Sequence, residues 1–410
     1  MSNPIKITAE ISLPEEFEFG AVDHSPTTAR ALAVLPTIPP LGPLASFVGK
    51  WKGGGFNTIF RPDNPKSASS MKLPIPLPPG DNLLELNLTS ETLTFSKSLG
   101  SVPNRGSATQ ADAFLNGVPY LQVIDDVTTP GQAVGIHVEP GIWLMVPATT
   151  APAEGPTLVR MASIPHGTTI EAQGTFSTAP GGPKIPVVDI TPFSTPATGI
   201  PSVPQPGLIR FPSQTAASPK PTARIPQDLS AFIAAGTITQ AILDDPNSLL
   251  RDQISHQTIL ETTTISVSTQ PASPPVIPGV PAFGGGVDNI AFLLGDGAQP
   301  VAAKPNAQVL QMTATFWIET VEYTLEVQIF NPGQPPLLLK PTPRRAGQHV
   351  PTFSVTPPKK IASPIKIKVT ATQIQYSQTV LLNFNTLTWP HVSVATLVPA
   401  EPITVPASAF

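Results

Sequence analysis

A histidine and a carboxylate two positions apart offer the first chemistry in this chain. In Gly135-Ile136-His137-Val138-Glu139-Pro140-Gly141-Ile142-Trp143, an extended backbone turns His137 and Glu139 to one face, because side chains alternate along a strand. A carboxylate so placed can orient the imidazole, or the two can supply part of a metal's ligand set. A divalent site needs a third ligand, which the sequence alone does not nominate. The alternative is a polar pair satisfied within a barrel wall. The other histidines are scattered at 24, 166, 256, 349 and 391, and no Gly-x-Ser-x-Gly elbow accompanies them, so nucleophilic catalysis has little support. Gly53-Gly54-Gly55 lacks the Lys-Ser/Thr of a P-loop, and Gly284-Gly285-Gly286 follows a Pro-rich linker rather than a strand. Cysteine is absent, which excludes disulfides, zinc-thiolate sites, iron–sulfur clusters and thiol nucleophiles.

Composition narrows the partners. Of 410 residues, 54 are Pro and 29 Gly, and only 12% are charged, against about 25% in an average soluble domain. Pro-rich chains are often disordered, yet 40% hydrophobic residues and a net charge of −4 are the reverse of the disorder signature. A mildly acidic chain with no basic run longer than Lys359-Lys360 or Arg344-Arg345 has no electrostatic footprint for nucleic acid. No apolar stretch approaches 18 residues, so no membrane span is expected, and the acidic N-terminal residues do not resemble a secretory signal. Cytoplasmic is the default expectation. With few Lys or Glu to guard sheet edges, a homo-oligomer is also an expectation.

The elements that must position any site are strands. Residues 83–100, 118–128, 132–148, 156–165 and 168–177 are short segments rich in Thr, Val, Ile, Leu and aromatics, each bounded by Gly or Pro. That is the pattern of an antiparallel meander. A short helix-like turn precedes Trp51. Between about 178 and 225 periodicity gives way to Pro, Ser, Thr and Ala, the mark of a long irregular loop or insertion. Leu229, Phe232, Ile233, Ile238, Ala241 and Ile242 then follow helical spacing up to Pro246, with a second helical turn expected from Asn247 as N-cap to about Ser255. Strand patterns resume at 258–269, at 289–296, at 309–330 as a strand pair or one long bent strand, and through the C-terminal segments.

Several motifs occur in one order. Gly49-Lys50-Trp51-Lys52-Gly53-Gly54-Gly55 with Asn57-Thr58-Ile59 is followed by LLELNLTSETLTF, GVPYLQVIDDV, His137-Val138-Glu139-Pro140-Gly141-Ile142-Trp143, VRMASIPHGTTIEAQG and finally TWPHVSVATL. This series resembles the nitrobindins, haem-binding β-barrels related to fatty-acid-binding proteins and lipocalins, over about 44–175 and the C-terminal strands. The resemblance implies a closed antiparallel barrel whose mouth takes haem, with His391 as the iron ligand. It also implies His137, His166, Trp51, Trp143, Thr58 and Ile59 around the cofactor. A neutral imidazole on a strand entering an apolar cavity gives five-coordinate iron with a free sixth position, and the resemblance extends to peroxynitrite isomerisation or peroxidase-like chemistry. Read without the family, His391 after Pro390 is a cap of the barrel end, His166 a turn residue, and Trp51 and Trp143 core or plug aromatics.

The expected architecture is all-β: an antiparallel calycin-like β-barrel with a large Pro-rich insertion carrying one or two helices. Residues 1–43 form an N-terminal arm, 44–177 the first part of the barrel, 178–286 the loop and helical insertion, and 287–410 the strands that close the barrel. The leading function is haem binding with reactivity toward small nitrogen or oxygen species. The alternatives are a cofactor-free carrier or enzyme for a hydrophobic small molecule in the cavity, and a structural or assembly protein.

Overall fold

The computed structural model describes residues 11, 17, 19, 38–63, 82–151, 153–195, 207–217, 222–269, 308–343 and 347–410. Most of the N-terminal arm, the linker at 271–286 with its three glycines, and the expected strand at 289–296 lie outside the described residues.

Among the described residues ten long strands run up and down in chain order: β1 Gly49–Pro62, β2 Asn82–Phe95, β3 Ala113–Asp126, β4 Val134–Val146, β5 Thr157–Ser163, β6 Thr169–Pro180, β7 Thr258–Ser268, β8 Gln308–Val327, β9 Ile365–Phe384 and β10 Leu387–Pro399. Each pairs antiparallel with its sequence neighbours, and β1 pairs with β10, Trp51 opposite Pro399 and Thr58 opposite Val392, which closes the ring. The result is a closed calycin-like barrel without open long edges. The seventh stave, β7, comes from within the stretch expected as insertion, so the chain leaves the barrel after Pro180 and returns at Thr258. The pattern at 309–330 is one 20-residue strand rather than a pair.

Alternation decides which side chains meet inside. On β1, Trp51 joins the interior cluster and Asn57, Ile59 and Arg61 follow in phase, whereas Phe56 and Phe60 pack on the outer face. A short 3-10 helix, Gly42–Phe47, enters one end of the barrel as a plug, with Leu44 and Phe47 fully buried. Phe47 stacks on Phe95 at 4.6 Å between ring centres and meets the edges of Trp143 and Phe316 at 5.7 and 6.0 Å. The glycine run on β1 has a steric cause. A Cβ on Gly53 would lie 2.0 Å from the Thr396 carbonyl oxygen, and one on Gly55 1.8 Å from that of Val394, so β1 crosses β10 more closely than any side chain permits.

The outer face of β1, β2 and β10 is covered by three short helices, α1 Ser230–Ala235, α2 Gln240–Asp244 and α3 Ser248–Ile254. Leu229, Ile238, Ile242, Leu243 and Leu250 pack there against Phe56, Phe60, Leu84, Leu86 and Trp389. One or two helices were expected. Gly236, at φ +71°, ends α1 in the left-handed conformation, and Thr239 restarts the chain by accepting from Ile242 N. Asn247 precedes α3, but its amide donates to the Pro186 carbonyl at 2.9 Å instead of capping the helix. Among the described residues no helix is long and apolar enough to cross a membrane.

Candidate functional site

Beyond the aromatic plug, the other end of the barrel holds a cavity of about 300 Å³. Ile59, Ile124, Ile136, Ile164, Val380 and Leu382 give it aliphatic walls. Arg61 and Glu85, an ion pair, lie on its lining, as do three of the chain's six histidines, His137, His166 and His391.

His391 projects inward from β10, opposite Val380 of β9 and two residues before Ser393. Its partner is Asn57 on β1. Asn87 of β2 donates to Asn57 Oδ1 at 3.3 Å, which fixes the way the Asn57 amide faces. The Asn57 Nδ2 group therefore donates to Ser393 Oγ at 2.7 Å and lies 2.8 Å from His391 Nε2. An amide N–H needs a lone pair, so Nε2 is the acceptor and the ring proton sits on Nδ1. Burial pushes this imidazole down to about 3, and the neighbouring His137 and His166 push the same way, so the ring is neutral at physiological pH. His137 and His166 meet edge to face with ring centres 5.3 Å apart. Burial likewise lowers His166, as does His137 beside it.

A buried polar network lies behind the cavity wall. His137 Nε2 is 3.2 Å from Glu139 Oε2, the pairing expected from their spacing on β4. Glu139 also accepts from Arg160 Nη2 of β5 at 2.6 Å and from the Tyr120 hydroxyl of β3. Burial alone would raise the Glu139 carboxyl, but Arg160 and these hydrogen bonds hold it at about 2, and it stays ionised. Arg160 donates further to Tyr120 Oη at 2.9 Å and to Gln378 Oε1 at 2.7 Å, with its guanidinium 5.5 to 5.8 Å from the ring centres of Tyr120, Trp143 and Phe316. Beside it, Glu91 of β2 accepts from Tyr376 Oη and Gln122 Nε2, each at 2.7 Å. Desolvation lifts Glu91 to about 7 despite both donors.

The structure brings His391, His137, His166 and Ile59 together on one cavity. It does not bring Trp51, Trp143 or Thr58 there. Trp51 sits at the plugged end, its Nε1 donating to Phe47 O at 2.7 Å. Trp143 is buried against Phe47 and Phe316. Thr58, fully buried, alternates to the outer face between inward-facing Asn57 and Ile59. Among the described residues no group of three or more His, Asp or Glu side chains is gathered as a metal site. Asn57, Ser393, Gln378, Tyr376, Glu91 and Arg160 were not singled out from the sequence, although the parity of Trp51 along β1 already points Asn57 inward.

No protein-family model, no curated protein and no solved structure matches the chain.

Proposed function

We propose that this protein is a cofactor-free binding barrel that takes one small, largely aliphatic molecule into its mouth cavity. The observation that carries this reading is the cavity itself. Its size is at the lower end of small-ligand sites, about 300–1,000 Å³, and it joins aliphatic walls to a confined polar patch, the usual make-up of such sites. Each methylene moved from water into these walls contributes roughly 0.8 kcal/mol, so a chain of six to eight carbons has enough to offset the cost of association.

Titration with 1-octanol, followed by calorimetry, tests this. Saturable one-site heat is expected, and Leu382→Trp, which fills the cavity from β9, should abolish it while the circular dichroism spectrum stays unchanged. Absence of saturable heat with 1-octanol and with other six- to ten-carbon compounds would sink the proposal.

Haem ligation by His391 is the second reading, favoured by a neutral imidazole on the cavity wall. The surroundings fit haem poorly. Asn57 engages Nε2, the ring nitrogen with a lone pair, and Arg61, the arginine at the rim, is held by Glu85 rather than free for a propionate. Peroxynitrite or peroxidase-like chemistry rests on this second reading alone. A Soret band on adding hemin that His391→Ala weakens or shifts supports it, and no band removes it.

A further inference from the structure

Resting on the reading of the cavity as a ligand site, we infer that its ligand is an uncharged aliphatic compound carrying a carbonyl oxygen, received by three hydrogen-bond donors on the β9–β10 wall. The donors are His391 Nδ1–H, Ser393 Oγ–H and Gln378 Nε2–H.

Hydrogen accounting leads to these three. His391 Nε2 accepts from Asn57, which leaves its only proton on Nδ1. Ser393 Oγ also accepts from Asn57, so its hydroxyl hydrogen is unspent. Gln378 Oε1 is taken by Arg160 Nη1, which turns the amide so that its NH2 group keeps both hydrogens. Among the described residues none of these hydrogens meets an acceptor, and all three side chains line the cavity. They are also neighbours. Gln378 and Ser393 are directly opposite in the β9–β10 register, and His391 is two residues from Ser393 on the same face. The polar groups beside them are used differently: the Tyr376 hydroxyl is spent on Glu91, and the Gln122 amide donates to Glu91 and Tyr376.

The charge of the ligand follows from ion pairs already formed. Arg61, the arginine of the lining, is held by Glu85, and Arg160 behind the wall is held by Glu139. Among the described residues an ionised head group would find no counter-charge that is not already paired, which low-dielectric surroundings penalise. A neutral carbonyl oxygen has two lone pairs for the donor wall and no charge to neutralise. Asn57 acts as a positioning residue, because its amide keeps the ring proton of His391 on the side away from itself.

The test compares four eight-carbon probes on the full chain by calorimetry at pH 7.5: 2-octanone, 1-octanol, octanoate and octylammonium. The ketone is expected to bind most tightly, and Ser393→Ala and Gln378→Leu should each weaken it about three- to tenfold, the value of one neutral hydrogen bond, with smaller effects on the alcohol. Asn57→Asp puts an acceptor opposite Nε2. Ring nitrogen-15 shifts should then report the proton moving from Nδ1 to Nε2, with ketone affinity falling in step. Equal affinity for ketone and alcohol, tighter binding of either ion, or ketone binding indifferent to both wall variants overturns the carbonyl assignment and leaves the cavity reading standing. Failure of all four probes overturns both.

Discussion

Glu139 and Arg160 face each other inside the barrel at 2.6 Å, with 0% and 2% of their side-chain surfaces exposed, and each holds the other in its charged form. Desolvating such a pair offsets most of its attraction, so the pair adds little stability over an apolar substitute, whereas breaking it strands a charge. Arg160→Met should therefore cost about 3–5 kcal/mol in urea unfolding at pH 7. The double variant Arg160→Met with Glu139→Gln should recover much of that loss. A single variant within about 1 kcal/mol of the parent contradicts the assignment.

Stability should fall toward alkaline pH, contrary to common behaviour. Burial raises Glu91 to about 7 and Glu319 to about 8. A carboxyl whose folded value lies above its unfolded value of 4.5 stabilises fully below that value, and the contribution disappears as pH rises through 7 and 8. Glu139, held at about 2, works in the opposite sense and is lost as pH drops from 4.5 through 2. His391, held at about 3, and the lowered His166 gain stability as pH rises to 6.5 and offset the carboxyl loss there, so the melting temperature should be nearly level from about pH 4.5 to 6.5 and decline from 6.5 to 8.5. Glu91→Gln and Glu319→Gln, isosteres of the protonated forms, should flatten the alkaline limb. A parent profile that rises between pH 6.5 and 8.5 rules this out.

Ring closure should be sensitive to one methyl group. Gly55→Ala places a carbon where the Val394 carbonyl oxygen lies 1.8 Å away, so β1 must move off β10. Overpacking of this kind costs at least about 1–3 kcal/mol. Gly131→Ala, on a turn where a Cβ meets nothing within 4 Å but φ is +78°, is the comparison, since it carries backbone strain without collision. Amide exchange along Trp51–Thr58 should accelerate in the Gly55 variant only.

Removing the plug ring should empty the closed end. Phe47→Ala deletes contacts with Phe95, Trp143 and Phe316 at once and should cost about 3–5 kcal/mol. The cavity at the far end should keep its 1-octanol affinity, because no plug residue lines it. Loss of binding without loss of stability would contradict that separation.

Much of the barrel was legible because alternation is local: the meander from Asn82 to Pro180 is written in Thr, Val and Ile between Gly and Pro. Three helices in place of two reflect Gly236, whose left-handed conformation interrupts a pattern that apolar spacing alone would continue. The site was legible where chemistry lay within one strand, as for His137 and Glu139. It was hidden where partners come from different staves. Arg160 meets Glu139 only because β4 and β5 are adjacent, and Asn57 meets His391 only across the β1–β10 seam. Thr58, implied by the resemblance, lies one residue from Asn57, and in a strand one residue exchanges the inside for the outside.

The seam between β1 and β10 also sets a timetable. Lys52 reaches the Ala400 carbonyl oxygen across it, a separation of 348 positions. A ribosome adding about 5–20 residues per second needs roughly 20–70 s to make that much chain. Throughout that interval β1 has β2 on one side and no neighbour on the other, so the nascent sheet carries an open edge on which Lys50, Lys52 and Arg61 are the charges that discourage pairing with other chains. The last stave to emerge is also the one bearing His391 and Ser393, and the ligand wall therefore comes into being in the same event that seals the ring.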